Sequence, residues 1–171
     1  MKRTVYSVLF ALIMVSAAAA ADPVEGLWKS IDEKTGKTTA AWTIYERNGE
    51  LFGEILVVPD QKADTLATEC KGPYKGFPRG GDVTKMTLVN TPFIFGLKRK
   101  AAGFWEGGNI IDPKDGKMYK CKITFRQADG SKFTVDTLEM RGEIGLGIGR
   151  SQYWERTTPE EIENLKKQRP S

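Results

Sequence analysis

Hydrophobic and polar side chains alternate along much of this chain, most clearly over residues 118–126. There Tyr119, Cys121, Ile123 and Phe125 fall on one face, and Lys120, Lys122, Thr124 and Arg126 on the other. A period of two predicts a strand with one buried and one wet face. Similar stretches rich in β-branched and aromatic residues predict strands over 25–32, 38–46, 51–58, 92–99, 104–111, 133–141 and 148–155. Turn chemistry separates them: Asn48-Gly49, the strongest short hairpin signal, and the glycine-containing turns at 33–37, 112–117 and 128–131. Residues 59–91 carry no period and many Pro and Gly, which predicts a long irregular connection of the kind that serves function or lids a site. A short helix within 61–69 or 82–90 fits that segment. Thr158, Pro159 and Glu160-Glu161 supply a capping hydroxyl, a proline at the first position and first-turn carboxylates, so a short helix is expected over 158–167. No internal repeat is apparent.

Eight or nine short strands in one chain of 171 residues imply a single antiparallel barrel or sandwich. The first strand contains Gly26-Leu27-Trp28 and the last contains Gly149-Arg150, with Tyr153-Trp154 beyond. A barrel makes its first and last strands neighbours, and a guanidinium from the last can then cover an indole of the first. Trp28 and Arg150 are the expected closure pair.

The N-terminus has a different pattern. Lys2 and Arg3 precede the apolar run 8–15 and the small residues 16–21, the signature of a secretory signal peptide too short for a membrane span. The expected organisation is a leader over 1–21, a barrel over 22–157 and a helical tail over 158–171. The product is expected to be exported, periplasmic or secreted in a bacterium, with no transmembrane span in the mature chain.

The net charge of +4 falls to +2 once Lys2 and Arg3 are removed. That mild excess gives no electrostatic case for a nucleic-acid partner. The chain has no histidine, which excludes Ser-His-Asp and Cys-His catalysis and histidine metal ligands. The carboxylates Glu106, Asp112, Glu139 and Glu143 have no spacing that pairs them for glycosidase chemistry, and the 112–117 turn lacks the ligand pattern of a calcium loop. No enzyme activity, cofactor or metal is expected. Cys70 and Cys121 are the two cysteines. In an exported chain a disulfide between them is the expectation, closing a loop of about 50 residues and contributing roughly 4 kcal/mol. The alternative is two free thiols.

Several ordered motifs carry a family resemblance: Gly26-Leu27-Trp28-Lys29, Gly96-Leu97-Lys98, Gly107-Gly108 with Ile111-Asp112-Pro113, Tyr119-Lys120-Cys121-Lys122, and Gly149-Arg150-Ser151-Gln152 with Trp154. Together they resemble an uncharacterised bacterial family of small exported, lipocalin-like proteins, a domain of unknown function. The resemblance spans about Val24 to Arg156. It implies an up-and-down lipocalin-like barrel of about eight strands, and no activity. It also implies that Trp28 and the basic residue packed on it, Arg150 with Arg156 as a substitute, are structural.

A barrel interior implies a small apolar or amphipathic, lipid-like ligand. The candidate wall residues are Trp42, Phe52, Phe95, Trp105, Tyr119, Phe125 and Tyr153, with Arg141 and Tyr153 as candidates for holding a polar headgroup. Taken singly, each aromatic favours core over ligand wall, since aromatics dominate small cores. A second reading is a cell-envelope interaction module acting through residues 59–91.

Overall fold

The computed structural model describes residues 21–145 and 147–170; the leader expected over 1–21 lies outside them except for Ala21. Eight strands follow one another: β1 (Gly26–Ile31), β2 (Thr38–Arg47), β3 (Glu50–Val57), β4 (Pro92–Ala101), β5 (Phe104–Ile111), β6 (Met118–Arg126), β7 (Thr137–Gly145) and β8 (Ile148–Arg156). Each pairs antiparallel with the next, and β1 pairs with β8, so the sheet closes as an up-and-down barrel. Closure removes both sheet edges, so every strand has a partner on each side without a second sheet.

Most predicted strands lie within a few residues of their observed positions. The exception is β7, expected over 133–141. The Asp129 carboxylate accepts from the backbone N–H groups of Ser131 and Phe133, and Asp136 accepts from that of Ala128. These bonds hold residues 128–136 as a loop and delay the strand. In the long connection, helical structure is a single 3-10 turn at Val83–Lys85, capped by Asp82.

The helix α1 (Pro159–Lys166) starts with a reciprocal capping box. The Glu161 N–H donates to Thr158 Oγ1 and the Thr158 N–H to Glu161 Oε2. Ile162 and Leu165 pack on Ala41, Val57, Leu27 and Leu56 outside the barrel. The helix therefore covers a wall.

One end of the barrel is shut. Trp28 is fully buried and donates from Nε1 to the Val24 carbonyl at 2.9 Å. Over its ring, 3.8 Å from the centroid, lies the guanidinium of Arg156. This corrects the expected pair: Trp28 is covered by Arg156, whereas Arg150 is bonded to Glu33 at 2.8 Å. Register is the reason, because Trp28 stands opposite Arg156 in the β1–β8 ladder. Arg156 also donates to the carbonyls of Glu25 and Pro23, both at 2.8 Å. Gly26 makes that approach feasible. Its φ is +122°, and a Cβ there would lie 2.6 Å from Arg156 Nη1.

The register also exposes a twofold internal repeat, a correction to the reading of the bare chain. Trp28 of β1 opposes Arg156 of β8, and Trp105 of β5 opposes Arg99 of β4. Each tryptophan is the third residue of a Gly-x-Trp triplet, at Gly26 and at Gly103. Ile31-Asp32-Glu33-Lys34-Thr35-Gly36-Lys37 recurs as Ile111-Asp112-Pro113-Lys114-Asp115-Gly116-Lys117. Both turns carry the same backbone bonds: Asp32 to Lys37 and Asp112 to Lys117 at 2.9 Å, Gly36 to Asp32 and Gly116 to Asp112 at 2.8 Å. Gly53-Glu54-Ile55 of β3 recurs as Gly142-Glu143-Ile144 of β7.

Candidate ligand-binding cavity

The end of the barrel opposite Trp28 carries the β1–β2, β5–β6 and β7–β8 turns and the long connection from β3 to β4. A cavity of about 730 Å³ opens there, within the range of roughly 300–1,000 Å³ usual for small-molecule sites. Deepest are Trp42 of β2 and Trp154 of β8, stacked with centroids 4.7 Å apart and planes 27° from parallel. Both indole N–H groups find partners within the fold. Trp42 Nε1 donates to Ser30 Oγ at 3.3 Å, and Trp154 Nε1 to Gln152 Oε1 at 3.2 Å. Ser30 and Thr39 share a 2.7 Å hydroxyl contact. The floor is thus an indole stack with its polar atoms already satisfied. Ile55, Ile110, Ile111 and Met140 make apolar walls.

The long connection completes the mouth. Gln61, Thr65, Leu66, Thr68 and Leu88 line it. Their segment is held by backbone bonds from Ala67 to Met86 and from Leu88 to Thr65, both 2.8 Å, and by the Asn90 N–H bonding the Ile55 carbonyl. Tyr74 Oη donates to the Gly116 carbonyl at 2.7 Å, tying the connection to the β5–β6 turn. Opposite, Ile144 and Ile148 flank the tip of the β7–β8 hairpin. They are 72% and 62% exposed, an apolar lip at the entrance.

The predicted wall residues separate by face. Trp42 and Tyr119 line the cavity. Burial, with the Asp115 charge nearby, pushes the Tyr119 phenol above its ordinary range. Trp105 and Phe125 belong to the shut end. Phe125 meets Trp28 edge-on at 6.3 Å. Trp105 Nε1 has no hydrogen-bond partner of standard geometry, though the indole helps hold the Asp22 carboxylate ionised. Phe52 and Phe95 lie on the outer face of the wall. Phe52 stacks with Tyr45 beneath Arg47, and Phe77 of the long connection covers Phe95 edge-on at 5.6 Å.

The two headgroup candidates also point outward. Arg141 bonds Glu143 at 2.9 Å and the Gly147 carbonyl at 2.8 Å. Arg141 and Lys122 together hold the Glu143 carboxyl below its usual range. Tyr153 packs on Phe133 outside the barrel, with Lys132 over both rings. Parity explains this. Residues 148, 150, 152, 154 and 156 of β8 face inward, so 153 faces out. The same parity shows what type-based choice missed: Trp154 and Gln152 are cavity residues, and Arg150 stands at the cavity rim.

Cys70 and Cys121 are both buried free thiols, which corrects the expected disulfide. Cys121 points into the barrel, its Sγ 3.2 Å from Met140 Sδ. Cys70 sits in the long connection, its backbone beside Gly116. Of the carboxylates considered as a catalytic set, Asp112 lines the cavity. Glu106, Glu139 and Glu143 face Lys100, Arg126 and Lys122 on the outer surface. Among the described residues no helix is long and apolar enough to cross a membrane.

The model of a family described as an uncharacterized protein conserved in bacteria, DUF2147, matches residues 26–156. The chain belongs to that family. Comparison with curated proteins finds no match. Among solved structures it is similar to HP1028 from the human pathogen Helicobacter pylori, described as belonging to the lipocalin family. The two share 19% identity over 83% of this chain and 88% of that one, with a TM-score of 0.61. At that identity the likeness establishes the lipocalin-like fold.

Proposed function

We propose that this family member is an exported binding protein whose barrel mouth takes a small apolar or amphipathic, lipid-like molecule. The observation that carries this reading is the cavity of about 730 Å³ floored by the Trp42–Trp154 stack. The two rings are themselves 5% and 2% exposed, so they close the bottom of the cavity, and the space above them is large enough for a ligand. The floor's polar atoms bond to one another, so a ligand there meets mainly apolar surface. Binding would then be driven by burial of apolar area, at about 25 cal/mol per Å² before the costs of association.

Export is supported by the charged start, apolar run and small-residue end of residues 1–21. The long connection supplies part of the mouth, so its length has a use within the binding reading. The reading is of binding without chemistry.

The test is direct. A bromoalkane tail quenches tryptophan on contact, so titration with 12-bromododecan-1-ol should quench the folded protein saturably. Trp42→Leu and Trp154→Leu should each remove part of that quenching. Non-saturating quenching, equal to that of free indole, would overturn the reading. Export is checked separately, by release of a chain lacking residues 1–20 or 1–21 on osmotic shock.

A further inference from the structure

The cavity changes character with depth along β8. Trp154 lies at the floor, Gln152 above it, and Arg150 at the rim. Trp154 and Arg150 are four residues apart, about 13 Å along a strand, or roughly 10 Å of depth once a barrel strand's tilt is allowed for. Lys114, from the β5–β6 turn, also lines the rim.

The acids near these two cations are Glu33, Asp112, Asp32 and Asp115, the last engaged by the Lys117 ammonium at 3.3 Å and the Lys117 N–H at 2.9 Å. Asp112 accepts the Lys114 backbone N–H at 2.9 Å, which engages it in its own turn. Asp32 is likewise taken up by its turn: the Thr35 N–H and hydroxyl and the Lys34 N–H all bond to its carboxylate. Glu33 is different. Its carboxylate touches Arg150 Nη2 at 2.8 Å, and the two side chains are 44% and 72% exposed. An exposed pair of this kind contributes roughly 0–1 kcal/mol and exchanges readily. Glu33 therefore occupies a position that a ligand's own anion could take, with the guanidinium free to meet it in bidentate fashion.

We infer that the preferred ligand is an anionic amphiphile of medium chain length, its carboxylate-like head on Arg150 in place of Glu33 and its tail on the Trp42–Trp154 stack. This rests on the binding reading above and names the ligand class for the same cavity. A depth of roughly 10 Å accommodates about eight carbons of extended chain, given single bonds near 1.5 Å. A cationic head would meet Arg150 and Lys114 and be disfavoured.

Three probes with one tail test it: dodecanoate, dodecanol and dodecyltrimethylammonium, read by calorimetry and tryptophan fluorescence below their aggregation thresholds. Dodecanoate should bind about tenfold more tightly than dodecanol, and dodecyltrimethylammonium more weakly than either. Arg150→Gln should bring dodecanoate to the dodecanol level and leave dodecanol unchanged. Glu33→Gln should tighten dodecanoate several-fold, because the competing carboxylate is gone. Equal binding of dodecanoate and dodecanol would overturn the inference and leave the cavity reading standing, as would loss of both in Arg150→Gln. Binding of none of the three would overturn both.

Discussion

In the first half of the barrel Trp28 stands opposite Arg156, and in the second Trp105 stands opposite Arg99. Residues 22–25 lie across the shut end and hold both arginines. The carbonyls of Pro23 and Glu25 accept from Arg156, and the Asp22 carboxylate accepts from Arg99 at 2.8 Å. At the mouth the halves differ. β3 and β4 are joined by the long connection 58–91, whereas β7 and β8 meet in a tight hairpin. Trp42 on β2, opposite Trp28, helps floor the cavity, whereas its counterpart on β6, opposite Trp105, is Ile123. Repetition at the shut end runs through the tryptophan–arginine pairs; at the mouth it survives in the 31–37 and 111–117 turns, while the β3–β4 and β7–β8 connections diverge. Stability should therefore concentrate at one end and recognition at the other.

The largest effects belong to the shut end. Trp28→Ala empties a fully buried site and should cost about 3–5 kcal/mol. Arg156→Ala removes two charged hydrogen bonds and the indole's cover, for about 3 kcal/mol. Arg99→Ala strips one partner from the buried Asp22 carboxylate and should cost about 1–2 kcal/mol. Arg150→Ala, at the rim, should stay within about 0.5 kcal/mol. Urea titration of the four variants checks the order. Equal losses at Arg150 and Arg156 would break the division between the two ends.

A finer comparison uses the repeated Gly-Glu-Ile. A Cβ on Gly53 would lie 2.7 Å from Ile44 Cδ1 and 2.8 Å from Ile94 Cδ1, both core atoms. A Cβ on Gly142 would meet the Tyr119 side chain at 3.5 Å, ordinary contact. Gly53→Ala should destabilise by about 1–3 kcal/mol through overpacking. Gly142→Ala should fold with unchanged stability and add a methyl to the cavity wall. Thermal unfolding of the pair reads the difference directly.

How much of this was legible in the chain follows from the same residues. Period-two stretches mark the strands, and Asn48-Gly49 marks a hairpin, because those signals are local. Arg150 and Arg156 share the inward face of β8, and the β1–β8 register alone decides which of them closes on Trp28. Residue type singles out Arg141 and Tyr153, whereas the parity set by Trp154 places Tyr153 outside. The repeat was hidden by the register shift near Gly107-Gly108 in β5 and by the long connection, which offset its two copies. The expected disulfide rested on compartment, and no distance is encoded in Cys70 and Cys121 themselves.

The closed end should also set the acid limit. Burial alone would raise the Asp22 carboxyl. The Val24 N–H, the Trp105 indole, Arg99 and the Gly103 N–H more than offset it and hold the pKa below the ordinary 3.8. A folded pKa below the unfolded one means that the stabilisation is fully present above about pH 4 and is lost as pH falls through the folded value. Asp22→Asn should therefore be less stable than the parent at pH 6 and approach it below pH 3. Arg150→Ala should track the parent at every pH. Chemical denaturation across that window measures both.

The smallest expected effect is none. Burial raises the pKa of both thiols, and Cys121 has no cationic neighbour to favour its thiolate. Buried thiols that stay protonated neither exchange with small disulfides nor bridge one another, and the connection is held by Tyr74, Ala67 and Asn90 instead. Dithiothreitol should leave the melting temperature unchanged, and a chromogenic disulfide should label the thiols only as the protein unfolds. A reductant-sensitive melting temperature would mean that the long connection is tied to the barrel by a covalent bond. The mouth would then be as firmly fixed as the shut end, and the contrast between the two ends would fail at its weakest point.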